Sequence, residues 1–301
     1  MLYFPYIFII FAENFVIMTN WYEKYMTIYG RSFSEVPEEI IEGTRQRLAR
    51  LQSAEPLASI VIIAYNEETH LQACLWAISE MVCKYPVEII GVDNDSKDKT
   101  EEIYKRSGIP YYKEYQHSCG YARRCGLQHA KGRFYFDVDS DTLYPPHYYE
   151  VMLEHLMKPG VSCVSATWSY FPDANHSKLS LRLFVIARDL FLWIQHFKRP
   201  ELSVRGLVFA YNADYGRKES YRVDIIRGED GSMALNLKKY GRIIFVHDRR
   251  CRAITGYGTI GQQSMLQSFL NHVRIQLRGI TRIFYATDHY VDSEDNLVKN
   301  K

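Results

Sequence analysis

The sequence predicts an α/β protein with a mostly parallel central sheet flanked by helices. Three observations carry that prediction. The runs "ASIVIIAY" (58–65) and "VEIIGVD" (87–93) are largely apolar, as in strands covered on both faces. Each is followed by a segment with helical character, and the strand–helix alternation continues to about residue 140. Charged residues, finally, collect where these strands end.

Taken in order, residues 19 to about 56 ("SEVPEEIIEGTRQRLARLQ" among them) are polar and helix-like, a lead-in of one or two helices. After the first strand, "NEETHLQACLWAISEM" places Leu71, Cys74, Leu75 and Ile78 at helical spacing. After the second, "SKDKTEEIYKRSG" reads as a helix with Ser96 as N-cap and Gly108 as its stop. "IPYYKEY" is a short strand, "YARRCGLQHAKG" a helix and "RFYFDVD" a fourth strand. Right-handed crossovers put the C-terminal ends of parallel strands along one edge, where open α/β sheets bind their ligands. At that edge stand Asn66 and Glu67, Asp93, and Asp139 with Asp141. Beyond residue 145, "VSCVSATWSYF" reads as a strand and "GRIIFV" as another. "SLRLFVIARDLFLWIQHF" is a very apolar helix, either core or the wall of an apolar acceptor channel. A C-terminal amphipathic helix carries Arg274, Arg278 and Arg282, as a solvated face or facing lipid phosphates. The expected organisation is residues 1–56 as an apolar segment with lead-in helices, 57–245 as the main domain, and 246–301 as a loop and amphipathic helix.

A net charge of +2 over 301 residues, without a long Lys/Arg block, argues against a polyanion-binding surface, so no nucleic-acid partner is expected. The six cysteines form no C-x-x-C pair and read as free thiols of a reducing cytoplasm rather than a zinc site. The opening "MLYFPYIFIIFAENFVIM" has twelve uncharged residues before Glu13. A membrane span needs roughly 20 apolar residues, and neither a basic n-region nor a small-residue cleavage site marks a signal peptide. Either translation starts at Met18 or the run associates with a membrane. The expected location is cytoplasmic, with peripheral contact at the inner face of the membrane.

Asp137, Asp139 and Asp141 would point the same way from an extended chain, and three like charges on one face call for compensation. Here four blocks occur in order: "IVIIAYNEE", "VDNDSKDKT", "GYARRCGLQHAKGRFYFDVDSDT" and "GEDGSMALNLKKYG". Together they resemble the family-2 glycosyltransferases of GT-A fold, a nucleotide-binding, Rossmann-like architecture, over roughly residues 58 to 245. The resemblance implies inverting transfer of a sugar from a nucleotide-sugar donor, UDP-linked, to a hydroxyl of a glycan or lipid-linked acceptor, in assembly of a cell-envelope polysaccharide or glycolipid. It implies Mn²⁺ or Mg²⁺ bridging the donor diphosphate, held by Asp141, with Asp139 on the metal's waters or the ribose. Asp137 lies outside that motif and is assigned a supporting role. Ala64, Tyr65 and Glu67 match the segment beside the nucleotide base, Asp93 the acid that reads base or ribose, and Arg123 an arginine near the donor. Asn94 stands where the family has a second Asp, Asp95 where it has Gly, and Arg124 where it has Asn. In "GED", Asp230 matches the catalytic base and Glu229 its neighbour that helps place the acceptor. On local sequence alone, an acid at a helix start is equally a cap. The Q-x-x-R-W motif of processive synthases is absent from the sequence, which favours transfer of a single sugar. The alternative is a non-catalytic sugar-nucleotide-binding scaffold on the same fold. A nucleotidyltransferase would want a Gly-rich basic loop where this chain has "AYNEETH".

Three other features are read plainly. "GYGTIG" (256–261) is a loop rather than a dinucleotide site. His247 and Asp248 follow a strand and are candidates to approach the metal. His117 and His129 are expected at the surface or in the core.

Overall fold

The computed structural model describes residues 20–172 and 178–256. The N-terminal apolar run, the C-terminal helix with its three arginines and all but the first residue of "GYGTIG" lie outside them. After a lead-in with short 3₁₀ turns comes α1 (Glu38–Leu51), then β1 (Ala58–Ala64), α2 (Leu71–Ser79), β2 (Val87–Asp93), α3 (Thr100–Ser107), β3 (Tyr111–Lys113), α4 (Cys119–His129) and β4 (Phe134–Asp139). The second half holds β5 (Thr142–Leu143), α5 (Tyr148–Leu156), β6 (Val161–Ala166), β7 (Trp168–Tyr170), α6 (Lys178–His196), β8 (Phe209–Asn212), α7 (Ala213–Glu219), α8 (Glu229–Leu237), β9 (Arg242–Val246) and β10 (Ala253–Thr255).

The main sheet has seven strands in the order β3-β2-β1-β4-β8-β6-β9. β1 runs parallel to β2 and β4, β2 to β3, and β6 to β9, while β8 is antiparallel to both its neighbours. The absence of alternation in β1 has a direct cause. Ile60 and Ile62 enter one apolar cluster and Val61 and Ile63 the other, so both pleat faces are buried. The lead-in belongs to the first cluster through Tyr22, Tyr25, Phe33, Ile41 and Leu48.

Two expectations of local structure are corrected. Ser96 does not cap α3. Asp98 takes the Thr100 amide at 2.9 Å instead, and the Ser96 hydroxyl accepts from the Asn66 amide at 3.0 Å. Ser and Asp both suit a cap, and which one reaches depends on the turn that precedes the helix. Gly108 does end the helix, in the left-handed region at φ 72°. "VSCVSATWSYF" is two strands, not one. β6 ends at Ala166, and β7 crosses into a three-stranded sheet, β5-β10-β7. Periodicity in the sequence marks extended chain but not its partner.

His247 and Asp248 do not join the acids of the β4 edge. The Asp248 side chain caps the turn Arg249–Cys251 and pairs with Arg250. His247 packs edge-on to Phe245 at 4.7 Å, with Asp189, Arg252 and His196 as its charged or titratable neighbours. Burial pushes the His247 imidazole down to about 4. Its ordinary value is near 6.5, so the unfolded chain takes up this proton first as pH falls. The stability tied to neutral His247 is complete above about pH 6.5 and is lost as pH drops toward 4, on the order of 3 kcal/mol. His247→Gln is expected to flatten that limb when urea unfolding is compared at about pH 7 and about pH 5.

Candidate active site

The C-terminal ends of β1, β2 and β4 meet at one edge, and the start of α8 is brought to it. The centre is Arg123, on α4, whose N-cap Ser118 accepts from the Tyr121 amide. The helix packs on β1 and β2 and turns this side chain inward, so that only 2% of Arg123 is exposed. Its guanidinium reaches four carboxylates: Asp137 at 3.1 Å, Asp139 at 3.0 Å, Glu229 at 3.5 Å and Asp230 at 3.2 Å. The contact to Asp139 is a hydrogen bond from Nη2. Towards Asp230 Oδ1 the Nε–H is not aligned, so charge acts there without a hydrogen bond and Oδ1 has no donor. One cation faces four anions. Burial lifts Asp137, Asp139 and Glu229 above the usual carboxylate range, and the guanidinium works against that rise.

Sequence alone assigned Asp137 a supporting role, and the structure gives it content. It is 1% exposed, paired with Arg123, and receives the Tyr221 hydroxyl. Asp139, at the end of β4, keeps part of its side chain open to solvent. Its amide donates to the Tyr144 hydroxyl at 3.3 Å, which donates onward to the Leu207 carbonyl at 2.8 Å. Asp141 sits two residues further on, held by the Thr142 hydroxyl at 3.1 Å. Burial and then the nearby Glu67 raise its carboxyl. The Tyr29 hydroxyl donates to the Asp141 carbonyl at 2.7 Å, so the lead-in buttresses this loop. Glu67 pairs with His70 at 2.7 Å, and the Tyr29 ring lies 4.6 Å from that imidazole.

Asp93 ends β2 with no exposure. Its Oδ1 accepts from the Ser96 amide at 3.0 Å, while its buried Oδ2 has no hydrogen-bond donor, Lys113 being 3.8 Å away. Asn94, the departure from the family pattern, donates through Nδ2 to the carbonyls of Glu114 and Gln116 at 2.9 and 2.8 Å. A carboxylate could not make those two bonds, so Asn94 clamps the loop after β3 and leaves Asp93 as the acid of this corner. Ala64 is buried, and its carbonyl accepts from the Asn94 amide at 2.9 Å. Tyr65 is 50% exposed, with His117 edge-on at 4.8 Å. His117 is therefore a surface residue, as expected, but at the mouth of the site.

Glu229 and Asp230 open α8, whose N-cap Gly228 has φ 93°. Capping is not what Asp230 does, because its Oδ2 accepts from the Gly206 amide at 2.7 Å, a residue outside the helix. Glu229 is the more enclosed of the two, with 8% of its side chain exposed against 16% for Asp230.

Gly206 is a site residue that the sequence did not reveal. It lies in the stretch between β7 and β8 that carries no motif. A Cβ there would stand 2.0 Å from Arg123 Nη2 and 2.7 Å from Asp230 Oδ2. The guanidinium is fixed by its four carboxylates and cannot yield. Gly206→Ala is expected to cost about 1–3 kcal/mol in thermal unfolding, by overpacking, and to lower turnover by roughly 100-fold or more because both neighbours are displaced.

The family profile described as Glycosyl transferase family 2 matches residues 59–214, ending before Glu229 and Asp230. An uncharacterized glycosyltransferase of Rickettsia prowazekii is 32% identical over 34% of this chain and 33% of its own length. Glycosyltransferase AglE of Haloferax volcanii is 30% identical over 39% of this chain and 38% of its own. The matched stretch thus spans a third or so of these relatives. Among solved structures, a mannosyltransferase of Pyrobaculum calidifontis in complex with GDP-Man and Mn²⁺ superimposes with a TM-score of 0.54 at 18% identity, covering 78% of this chain and 72% of that one. That likeness is one of fold.

Proposed function

The chain belongs to glycosyl transferase family 2, and from that premise we propose that it is an inverting glycosyltransferase. It moves a single sugar from a nucleotide-sugar donor, UDP-linked, to a hydroxyl of a glycan or lipid-linked acceptor during assembly of a cell-envelope polysaccharide or glycolipid. The observation that carries this reading is Arg123, which gathers Asp139 and Asp230 around one guanidinium. A site for the donor diphosphate and a base for the acceptor thereby share one cleft. The unit that performs the reaction is residues 57–245, with the flanking lead-in and β10 packed onto it.

The residues present fit a hard divalent cation, Mn²⁺ or Mg²⁺. Asp139 and Asp141 offer carboxylate oxygens beside a strand end. Among the described residues no three His, Cys, Asp or Glu form a cage of their own. A cation held here would take one or two ligands from Asp141 and Asp139 and complete its shell with phosphate and water. When bound, it supplies charge stabilisation to the departing diphosphate. The donor's base lies against Tyr65 and the Ala64 backbone, with Glu67 alongside. Asp93, the acid that ends β2, reads the base or a ribose hydroxyl. Asp230 takes the proton of the acceptor hydroxyl as that oxygen attacks the anomeric carbon. Glu229, more enclosed, orients Asp230 and the acceptor. The Gly206 amide fixes Asp230 Oδ2 and so aims the carboxylate.

Thermal unfolding with UDP, GDP, CMP and dTDP, each with and without Mn²⁺, tests this. A Mn²⁺-dependent rise with UDP is expected, since a ligand at about 100 times its Kd adds roughly 2.7 kcal/mol. Asp141→Asn is expected to remove the Mn²⁺-dependent part. A rise with another nucleotide corrects the base alone. Nucleotide binding with no sugar transfer by any donor would favour the non-catalytic scaffold.

A further inference from the structure

Two tyrosine hydroxyls rise from the apolar cluster beneath Arg123 and end at the arginine or its counter-ion. Tyr135 of β4 and Tyr221, just after α7, belong to that cluster, with the Tyr211 ring 5.1 Å from the first and 6.2 Å from the second. The Tyr135 hydroxyl donates to the Arg123 carbonyl at 3.2 Å. The Tyr221 hydroxyl donates to Asp137 Oδ2. Asp137 Oδ1 then faces Arg123 Nη1 at 3.1 Å without an aligned hydrogen. Phenylalanine at 221 would fill the apolar floor as well as tyrosine does, so packing alone leaves the hydroxyl unexplained.

The backbone around Tyr221 is shaped for this contact. Ser220, which ends α7, has φ 59° and ψ 156°, a region that residues other than glycine rarely occupy. The segment closes at Gly228, and the next two residues are Glu229 and Asp230. Between its ends, Ile225 is buried along with Tyr221. The Arg222 carbonyl presses on the first turn of α4, where a Cβ on Gly120 would stand 2.2 Å from its oxygen. Gly120 and Arg123, three residues apart, share a face of that helix. Residues 220–228 thus touch the helix that carries Arg123, hold one of its counter-ions and run directly into Asp230.

Asp137 is the most deeply enclosed of the four carboxylates around the guanidinium. Its two oxygens are divided, one facing the hydroxyl and one the arginine. Without the hydroxyl, Oδ2 would be buried with no donor. Both oxygens would then turn to the guanidinium, the arrangement such pairs favour. That draws the fork toward Asp137 and away from Asp230, whose Oδ1 has no aligned donor and depends on the nearby charge. We propose, resting on Asp230 as the base, that Tyr221 is a positioning residue for sugar transfer: its hydroxyl fixes Asp137 and so holds the Arg123 guanidinium where it aims Asp230 at the acceptor.

Tyr221→Phe keeps the ring and removes the hydroxyl. Its kcat is expected to fall roughly tenfold or more, with the donor KM within about threefold of wild type. Asp137→Asn interrupts the same path one step further on, so the double variant should fall no further than the more affected single one. Amide exchange gives a reading that needs no transfer. The Gly206 N–H is bonded to Asp230 Oδ2 at 2.7 Å. In Tyr221→Phe its exchange should quicken roughly tenfold, while the amides of Ile62 and Ile90 in the central sheet keep their protection. The same reading on Asp137→Asn, which leaves Tyr221 in place, decides the matter should the phenylalanine variant not fold. Exchange that quickens equally at Gly206 and in the sheet would make Tyr221 a stabilising residue only, and would overturn the proposal. Unchanged kcat, unchanged Gly206 exchange, or losses that multiply in the double variant would each overturn it as well. A wild-type chain that transfers no sugar from any donor would instead count against the transferase reading, and Gly206 exchange would still decide whether Tyr221 holds Asp230.

Discussion

Arg123→Met is expected to abolish sugar transfer and to lower stability by about 3–5 kcal/mol, the cost of stranding a buried charge. The thermal midpoint should fall by roughly 10 °C or more at this chain length. Methionine fills much of the volume, so the loss is electrostatic rather than a cavity. Four carboxylates within 3.0–3.5 Å would lose their common cation, two of them nearly without exposure. Arg123→Lys separates charge from geometry. An ammonium retains the charge but cannot present a planar fork to four partners. It should recover part of the stability and little of the turnover. An Arg123→Met chain with unchanged melting and turnover would mean that the carboxylates are neutralised by another route.

Asp230→Asn is expected to reduce kcat by about 10³-fold, within the usual worth of a general base. Donor binding should change by less than threefold, because Asp93, Tyr65, Asp139 and Asp141 are untouched. The substitution is conservative in shape, and the amide oxygen can still accept from the Gly206 N–H, so the fold should be retained. Glu229→Gln, at the more enclosed acid, is expected to raise the acceptor KM more than it lowers kcat. The check is steady-state transfer beside nucleotide titration on the same preparations. Transfer unchanged in Asp230→Asn, or kcat lost only in Glu229→Gln, would assign the base elsewhere.

The sequence by itself determined the sheet and the identity of most site candidates. β1 and β2 were legible because a strand buried on both faces must be apolar throughout, and α3 because Gly108 can turn in the left-handed region. The order of blocks placed Asp93, Asp139, Asp141, Glu229 and Asp230 at strand ends or a helix start, and that is where they are. The tertiary structure decided what each of them touches. Arg123 was expected beside the donor; its inward turn makes it the hub of four acids, a fact that depends on α4 packing over β1 and β2. Asn94, which stands where the family has a second Asp, is a clamp, because the loop it holds lies some twenty residues on. Gly206, Tyr221 and Tyr29 had no signal at all. Each acts through one backbone or hydroxyl group brought close by elements distant in sequence, and a local pattern of residues carries no record of such a contact. The partner of β7 was decided in the same way. Periodicity reports which residues are apolar, whereas only packing reports which of them find something to cover them.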